Sequence, residues 1–357
     1  MLAVMLIEKG DFNRALPYVE SVLNRKDIND NVVFSNLDSL VAQIPDVERA
    51  LAFALSLAKH YPDKYQAHIF AGETAFRAKK AAVALQQVNV ALTLNPHSPE
   101  AAVLKGVILD RQSPEAAVNF LKVFLNHDND PNVRLVYARA LVSASHFHAA
   151  RAQFELLAKS NPDNAAINLA VGLLSAQMGD WKVAHAYFLR ALTLPVANKE
   201  QIKLYLGQTE QALGHPHKAL DWYASVIEGP YYVMARIRLA GVLSDEGKNH
   251  DAMAVLSSLP VSNLQDRIVV TLAKTELLNK MGKRRRAYVL LDKLYKEAPA
   301  NPDVLYAHGL AAERIGLEGV FESDMHQLIA LKPDDGQAYN ALGYTYADHD
   351  VHLKEAG

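Results

Sequence analysis

The thirty residues AAINLAVGLLSAQMGDWKVAHAYFLRALTL, Ala165 to Leu194, decide the fold of this chain. They read as two helices joined by a turn at Gly179, because a left-handed residue after a helix end favours glycine. Small residues stand at Gly172 in the first helix and Ala184 in the second, so the two helices can cross closely. Phe188 is a large residue that we expect to fill the space between this hairpin and its neighbour. The stretch therefore predicts an antiparallel helical hairpin with a close crossing.

The same arrangement returns along the chain at steps of 32 to 35 residues. The small residue of the first helix recurs at Gly72, Gly106, Ala138, Gly172, Gly207, Ala240, Thr275, Gly309 and Gly343. The turn glycine recurs seven residues later at Gly179, Gly214, Gly247, Gly282 and Gly316. A single hairpin cannot bury its apolar faces, so hairpins in tandem are expected to stack on one another.

This skeleton resembles the tetratricopeptide repeat family over nearly the whole chain. The resemblance implies an all-α fold, a right-handed superhelical α-solenoid of tandem helix-turn-helix repeats. We expect one solenoid domain over residues 1–357 with about eleven units, of which the first and the last are incomplete. The second unit, about residues 31–64, is irregular because it lacks the glycine and carries Pro45 in its turn. Both sequence ends cut across a unit, so we expect a fragment of a longer array.

Composition and motifs argue against several other classes of function. The formal net charge of −2 predicts no broad basic surface for nucleic acid. Cysteine is absent, and the histidine pairs of the SHFHAA and GHPHKA turns lack a third convergent ligand. The common nucleotide-binding, zinc-protease and serine-hydrolase motifs are also missing. We therefore expect no enzyme activity, cofactor or metal, and no membrane insertion, since no apolar run of about 18 residues exists.

The resemblance further implies that the first helix of each repeat lines a concave face that receives a ligand. In the repeat phase, the second, fifth, ninth and twelfth positions of these helices point inward, and many of the fifth and ninth are apolar. Such residues are either core in a tightly wound superhelix or an exposed apolar groove for protein segments, and the sequence leaves both open. The candidate protein-binding residues are Arg139, Leu169, Leu173, Gln208, Gln211, Glu276, Asn279, Arg314 and Asn340.

The densest charge cluster of the chain lies in NKMGKRRRAY, around Gly282. Its arginines Arg284, Arg285 and Arg286 are either a solvated helix turn or a contact for an acidic partner surface. The second interpretation adds these three arginines to the candidate protein-binding residues.

A narrower resemblance rests on AQFELLAKSNPD, LYLGQTEQALGHPHKALDWYASVIEGPYY and LKPDDGQAYNALGYTYADHDVHLKEA, together with the irregular second unit. These stretches look like a proteobacterial family of tetratricopeptide outer-membrane lipoproteins that act as adaptors for a carboxyl-terminal processing protease. The resemblance implies a non-enzymatic scaffold that brings this protease to its substrates, including peptidoglycan hydrolases. The lipobox cysteine and signal peptide of such a lipoprotein would have to lie upstream of Met1.

Two other functions remain open from the sequence. One is an assembly factor in envelope or exopolysaccharide export, and the other is a helical interaction domain of a larger enzyme. The expected partners are proteins or peptide segments, with a homo-oligomer as a further option because exposed repeat ends favour pairing between copies. The adaptor function implies the bacterial periplasm, with the full-length protein at the outer membrane, and the cytoplasm is the alternative.

Overall fold

The computed structural model describes residues 5–7, 9–23, 29–196, 198–334 and 336–348. All regular secondary structure in these ranges is helical, as the sequence period predicts. Contacts divide the chain into two compact units, Met1–Pro195 and Val196–Gly357, which we call unit 1 and unit 2. The single continuous array over residues 1–357 stays a prediction.

Unit 1 begins with a short helical turn at residues 5–7, and longer helices follow it in the described residues. They are α1 (Phe12–Leu23), α2 (Asp30–Val41), α3 (Val47–His60), α4 (Tyr65–Arg77), α5 (Ala81–Leu94), α6 (Pro99–Gln112), α7 (Pro114–Leu125), α8 (Pro131–Ser143), α9 (Phe147–Ser160), α10 (Ala165–Gln177) and α11 (Trp181–Thr193). From α4 onward, consecutive helices pack in pairs as hairpins. In the irregular region before them, α2 and α3 each pack against α4.

Unit 2 continues the hairpin pattern in its own described residues. Its helices are α12 (Lys199–Ala212), α13 (Pro216–Ser225), α14 (Tyr232–Asp245), α15 (Asn249–Ser257), α16 (Leu264–Lys280), α17 (Arg284–Glu297), α18 (Pro302–Glu313), α19 (Glu318–Leu331) and α20 (Gly336–Asp348). The first eight of these form four hairpins, and α20 packs against α19. The final LKEAG, which the sequence suggests as the start of another helix, lies outside the described residues.

Local sequence sets where the helices begin. Asp130 accepts backbone N–H groups of Asn132 and Val133 at 2.7 and 3.1 Å, with Pro131 opening the helix. Such a side chain satisfies N–H groups that have no partner within the helix. Pro114 lies in the first turn of α7, directly after the cap residue Ser113.

The turns inside the hairpins adopt the predicted left-handed conformation. The five turn glycines named from the sequence have φ between 72° and 80°. Lys79 and Ser145 adopt φ values of 58° and 62° at the ends of α4 and α8, whose hairpin turns lack glycine. The hairpin geometry therefore imposes this conformation, and glycine adopts it at the least steric cost.

The close crossing predicted at the small position is confirmed. A Cβ atom added to Gly172 would lie 2.5 Å from the Phe188 ring, and one added to Gly207 would lie 2.4 Å from the Tyr223 ring. Both aromatic side chains are fully buried. Each large residue of the second helix thus occupies the volume that a side chain on the first helix would need.

Two glycines of unit 2 provide a matched test of this crossing. Gly207→Ala should lower the free energy of unfolding by about 1–3 kcal/mol, because the added methyl group displaces the buried Tyr223 ring. Gly241→Ala should raise it by about 0.5–1 kcal/mol, because a Cβ atom there meets nothing within 4 Å and alanine favours the helix. Urea denaturation followed by circular dichroism measures both changes in the free energy of unfolding. Equal changes for the two variants would contradict the close crossing.

Candidate protein-binding grooves

The fifth and ninth positions of the first helices differ in exposure. Among fifth-position residues, Ile69 and Leu204 are 8% and 4% exposed, while Leu169 is half-buried. At the ninth position, Leu173 is 38% exposed and Arg139 is also exposed. The fifth position therefore contributes more to packing than the ninth, and a binding role for the exposed residues stays a prediction.

A cavity of about 370 Å³ lies in unit 2, against helices α12, α14 and α16. We call it the α14 groove. Its lining residues are Gln211, Met234, Ile237, Arg238, Ala240, Gly241, Ser244, Asp245, Leu256, Ala273, Glu276, Leu277 and Lys280. Two of the predicted protein-binding residues, Gln211 and Glu276, are thus brought to one cavity.

The α14 groove has a mixed, partly unpaired set of charges. Lys280 Nζ lies 3.1 Å from Asp245 Oδ1, which links α16 to α14. Arg238 and Glu276 form no hydrogen bond or ion pair with any residue that the structure describes. Gly241 also lines the groove, and because it has no side chain, the backbone of α14 is accessible there. The groove therefore offers one cation, one anion and an open helix surface to a polypeptide.

Gln211 connects this groove to the core. Its Oε1 atom accepts a hydrogen bond from the Tyr223 hydroxyl at 3.0 Å. Burial raises the pKa of Tyr223 to about 12, with nearby Arg238 acting in the opposite direction, so the hydroxyl stays a donor at neutral pH. The crossing that buries Tyr223 thus also fixes Gln211 at the groove.

The other predicted residues of unit 2 lie outside the lining of the α14 groove. Gln208 and Asn279 are half-buried, while Arg314 and Asn340 are exposed. The basic cluster is exposed in the first turn of α17. Cations in a first turn oppose the helix dipole, so helix stability does not explain them. The cluster residues are Arg284, Arg285 and Arg286, and their contact with a partner stays a prediction.

A second cavity, of about 470 Å³, lies in unit 1 against α2 and α4 and reaches Glu100 on α6. We call it the α4 groove. Its lining residues are Asn31, Val32, Phe34, Ser35, Asn36, Asp38, Ser39, Tyr65, Gln66, Ile69, Phe70, Glu73 and Glu100. The charged members are all acidic, which distinguishes this groove from the α14 groove.

Ion pairs hold α2 and α4 together at both ends of the α4 groove. Lys64 pairs with Asp30 at one end, and Arg77 Nη1 lies 2.7 Å from Asp38 Oδ1 at the other. Beneath the groove, the rings of Phe34 and Phe70 pack with centroids 6.3 Å apart. The walls are therefore fixed by contacts that leave the space between them open.

Glu73 is the unpaired carboxylate of the α4 groove. It has no hydrogen-bond or ion-pair partner among the described residues. Burial raises its pKa from 4.5 to about 7, and the negative charges of Asp38 and Glu100 add to this shift while Arg77 opposes it. A carboxyl group in this state is half-ionised near neutral pH.

Glu73 stands at a ninth, inward position directly after Gly72, but Glu73, Asp38 and Glu100 are not among the candidate residues predicted from the sequence. The available signal was the period, because Asp38 and Glu73 stand 35 residues apart and thus one repeat apart. In the α14 groove, Met234, Ile237, Gly241 and Ser244 stand at inward positions of the repeat phase, whereas Arg238 lies between two of them and follows no comparable rule.

Two other kinds of site are absent from the described ranges. No three or more His, Asp or Glu side chains there are placed to hold a metal ion. Among the same residues, no helix is long and apolar enough to cross a membrane.

The geometry described above is that of an α-solenoid of tetratricopeptide repeats. Residues 46–99 and 136–201 match the family model described as tetratricopeptide repeat. Tetratricopeptide repeats are protein-interaction scaffolds, and the match indicates no catalytic family. The chain is also 29% identical over 151 residues to the TPR repeat-containing protein PA4667 of Pseudomonas aeruginosa, in a match covering 42% of this chain and 26% of that protein.

Solved structures show similar helical arrays. One is a tetratricopeptide repeat protein from Parabacteroides merdae, with 15% identity, a TM-score of 0.47 and coverage of 77% of this chain and 95% of that chain. Another is a chain of the APC/C hetero-tetramer Cut9–Hcn1, with 13% identity, a TM-score of 0.41 and coverage of 91% and 64%. At TM-scores below 0.5, these similarities support no conclusion about function.

The raised pKa of Glu73 predicts a pH-dependent stability difference between the wild-type chain and Glu73→Gln. Between pH 4.5 and about 7, the folded protein keeps a proton that the unfolded chain releases, so this residue's contribution to stability falls as pH rises. The variant lacks this loss. The difference in free energy of unfolding, variant minus wild type, should therefore increase by roughly 1–2 kcal/mol between pH 5 and pH 8. This figure is reduced to allow for the partial exposure of Glu73.

Urea denaturation at both pH values measures this difference. Glu228→Gln is the matched control, since Glu228 is exposed, forms no ion pair with the described residues and lies outside the lining of both grooves. A stability difference between Glu73→Gln and the wild type that is the same at pH 5 and pH 8 would contradict the burial of the Glu73 carboxylate.

Proposed function

We propose that this chain is a protein-binding scaffold that acts as an adaptor, bringing a periplasmic carboxyl-terminal processing protease to its substrates. The α14 groove is the structural feature that supports the scaffold function. There, Arg238 and Glu276 line an open cavity without partners among the described residues, beside the open backbone at Gly241. Unpaired charges beside apolar residues suit recognition of a polypeptide segment.

The adaptor function and the periplasmic, outer-membrane-associated location rest on the sequence resemblance. The supporting stretches are the final NALGYTYAD segment and the YLGQTEQALGH segment of α12. The latter segment also contains Gln211, one of the residues that line the α14 groove. The narrower resemblance and the candidate surface thus meet in one helix.

Gly241→Leu tests whether the α14 groove binds the partner. Leucine at this position would project from α14 into the groove without displacing protein atoms near its Cβ, so the fold should remain. We expect the wild-type chain to capture a processing protease from the envelope fraction of the source cell, identified by mass spectrometry. Gly241→Leu should reduce that capture at least about tenfold, the cost of roughly 1.4 kcal/mol of lost binding free energy.

Gly319→Leu is the matched control, because Gly319 also has nothing within 4 Å of an added Cβ atom and does not line the groove. It should capture the protease as the wild type does. Recovery of exopolysaccharide-export proteins without any protease would reject the adaptor function in favour of an assembly factor. Equal capture by the Gly241→Leu and Gly319→Leu chains would reject the groove as the binding surface.

A further inference from the structure

The α4 groove concentrates negative charge that the chain as a whole does not have. The formal net charge is only −2, with 37 Lys and Arg against 39 Asp and Glu. In the lining of this groove, all three charged residues are acidic: Asp38, Glu73 and Glu100. General acidity of the protein therefore does not explain the groove, and its charge is a local property.

The neighbouring cation pairs with only one of these three carboxylates. Arg77 pairs with Asp38 at 2.7 Å and also donates to Thr74 Oγ1 at 3.0 Å. Glu100 accepts a hydrogen bond from the Ser98 hydroxyl at 2.9 Å through one of its two oxygens. Glu73 has no partner among the described residues. The internal contacts thus leave an excess of negative charge facing the cavity.

The walls suit a long aliphatic side chain. Val32, 53% exposed, lines the groove together with the rings of Phe34 and Tyr65 and the side chain of Ile69. Lysine and arginine bury their methylene stems against apolar surface while their charged ends stay with polar partners. A cavity of about 470 Å³ is large enough for such a side chain and part of its backbone.

Energetics favour the same occupant. A partly buried carboxylate without a partner is costly, and a cation that reaches it offsets the lost hydration. Lysine or arginine brings that cation, whereas an acidic or purely apolar segment would leave Glu73 unpaired. The charge complementarity therefore selects among the protein segments that a scaffold could bind.

We propose that the α4 groove binds an extended peptide segment through a lysine or arginine side chain that reaches Glu73, with Asp38 and Glu100 adding attraction. This inference rests on the proposed function as a protein-binding scaffold and specifies one of its binding surfaces. It requires a lysine or arginine in the bound segment of the partner.

A set of labelled peptides tests this specificity on the full chain. The probe is an alanine and leucine peptide of about nine residues, long enough for an extended segment to cross the groove, whose central residue is Lys, Arg, Gln or Glu. Fluorescence anisotropy at pH 8 should show the Lys and Arg peptides binding at least about tenfold tighter than the Gln peptide. Equal binding of the Lys and Gln peptides, tighter binding of the Glu peptide, or no binding of any peptide would overturn the proposal.

Variants assign the effect to this groove. Glu73→Gln should weaken binding of the Lys peptide about tenfold, and Glu100→Gln should weaken the same binding by a smaller factor. Glu228→Gln is again the matched control and should leave binding unchanged. Circular dichroism verifies that each variant is folded. If folded Glu73→Gln binds the Lys peptide as tightly as the wild type does, the assignment to this groove is overturned.

The pH dependence adds a readout specific to Glu73. Its pKa of about 7 means that the cation meets an ionised carboxylate more often as pH rises, with Asp38, Glu100 and Arg77 as the charges that act on it. Lys-peptide affinity should therefore increase from pH 6 to pH 8 in the wild type. The increase should be much smaller in Glu73→Gln, and an equal increase in both chains would exclude Glu73 as the recognising group.

This experiment separates the inference from the proposed function. If Lys peptides show no preference while Gly241→Leu still abolishes protease capture, the α4-groove proposal fails and the adaptor function stands. If no protease is captured while the Lys-peptide preference depends on Glu73, the adaptor function fails and the α4 groove remains a peptide-binding surface.

Discussion

The structure depends on the absence of a side chain where the two helices of a hairpin cross. At Gly172 and Gly207 the facing aromatic ring lies where a Cβ atom would be. Because the helices approach this closely, Phe188 and Tyr223 become fully buried. Tyr223 then packs with apolar residues of the next hairpin, including Ala235 and Leu239. One local steric condition thus produces the hairpin and the stacking surface for its neighbour.

The same condition shapes the binding surfaces. Once the second helix buries one side of the first, the opposite side is left to line a cavity. In unit 2 this leaves Gly241 and Glu276 in the α14 groove, and in unit 1 it leaves Glu73 in the α4 groove. A scaffold built this way places unpaired polar groups where a partner can satisfy them. The two grooves differ in charge, so they are suited to different segments.

Much of the fold could be predicted from the sequence because its signals are local and repeated. The crossing glycines and the turn glycines each report a backbone requirement within one hairpin, and both predictions are confirmed. The irregular packing of α2 and α3 against α4 could not be predicted, since the stretch lacks the glycine that marks the crossing. The repeat phase could not distinguish exposed Leu173 from half-buried Leu169, because exposure depends on neighbouring helices.

The candidate sites were less predictable for the same reason. Gln211 and Glu276 were selected as inward polar residues, and they do line one cavity. The charge of the α4 groove was missed because Asp38, Glu73 and Glu100 come from three helices, and their mutual repulsion arises only after folding. The identity of a protein partner depends on complementary surfaces, and a repeat skeleton encodes packing instead.

A double-mutant cycle at the Gly172–Phe188 crossing tests the central claim most directly. Gly172→Ala and Phe188→Leu should each destabilise the chain, the first by crowding the ring and the second by leaving a cavity. In the double variant, the smaller leucine makes room for the added methyl group. The account predicts a combined loss in free energy of unfolding that is smaller than the sum of the single losses by about 1 kcal/mol or more. Strictly additive losses would contradict it.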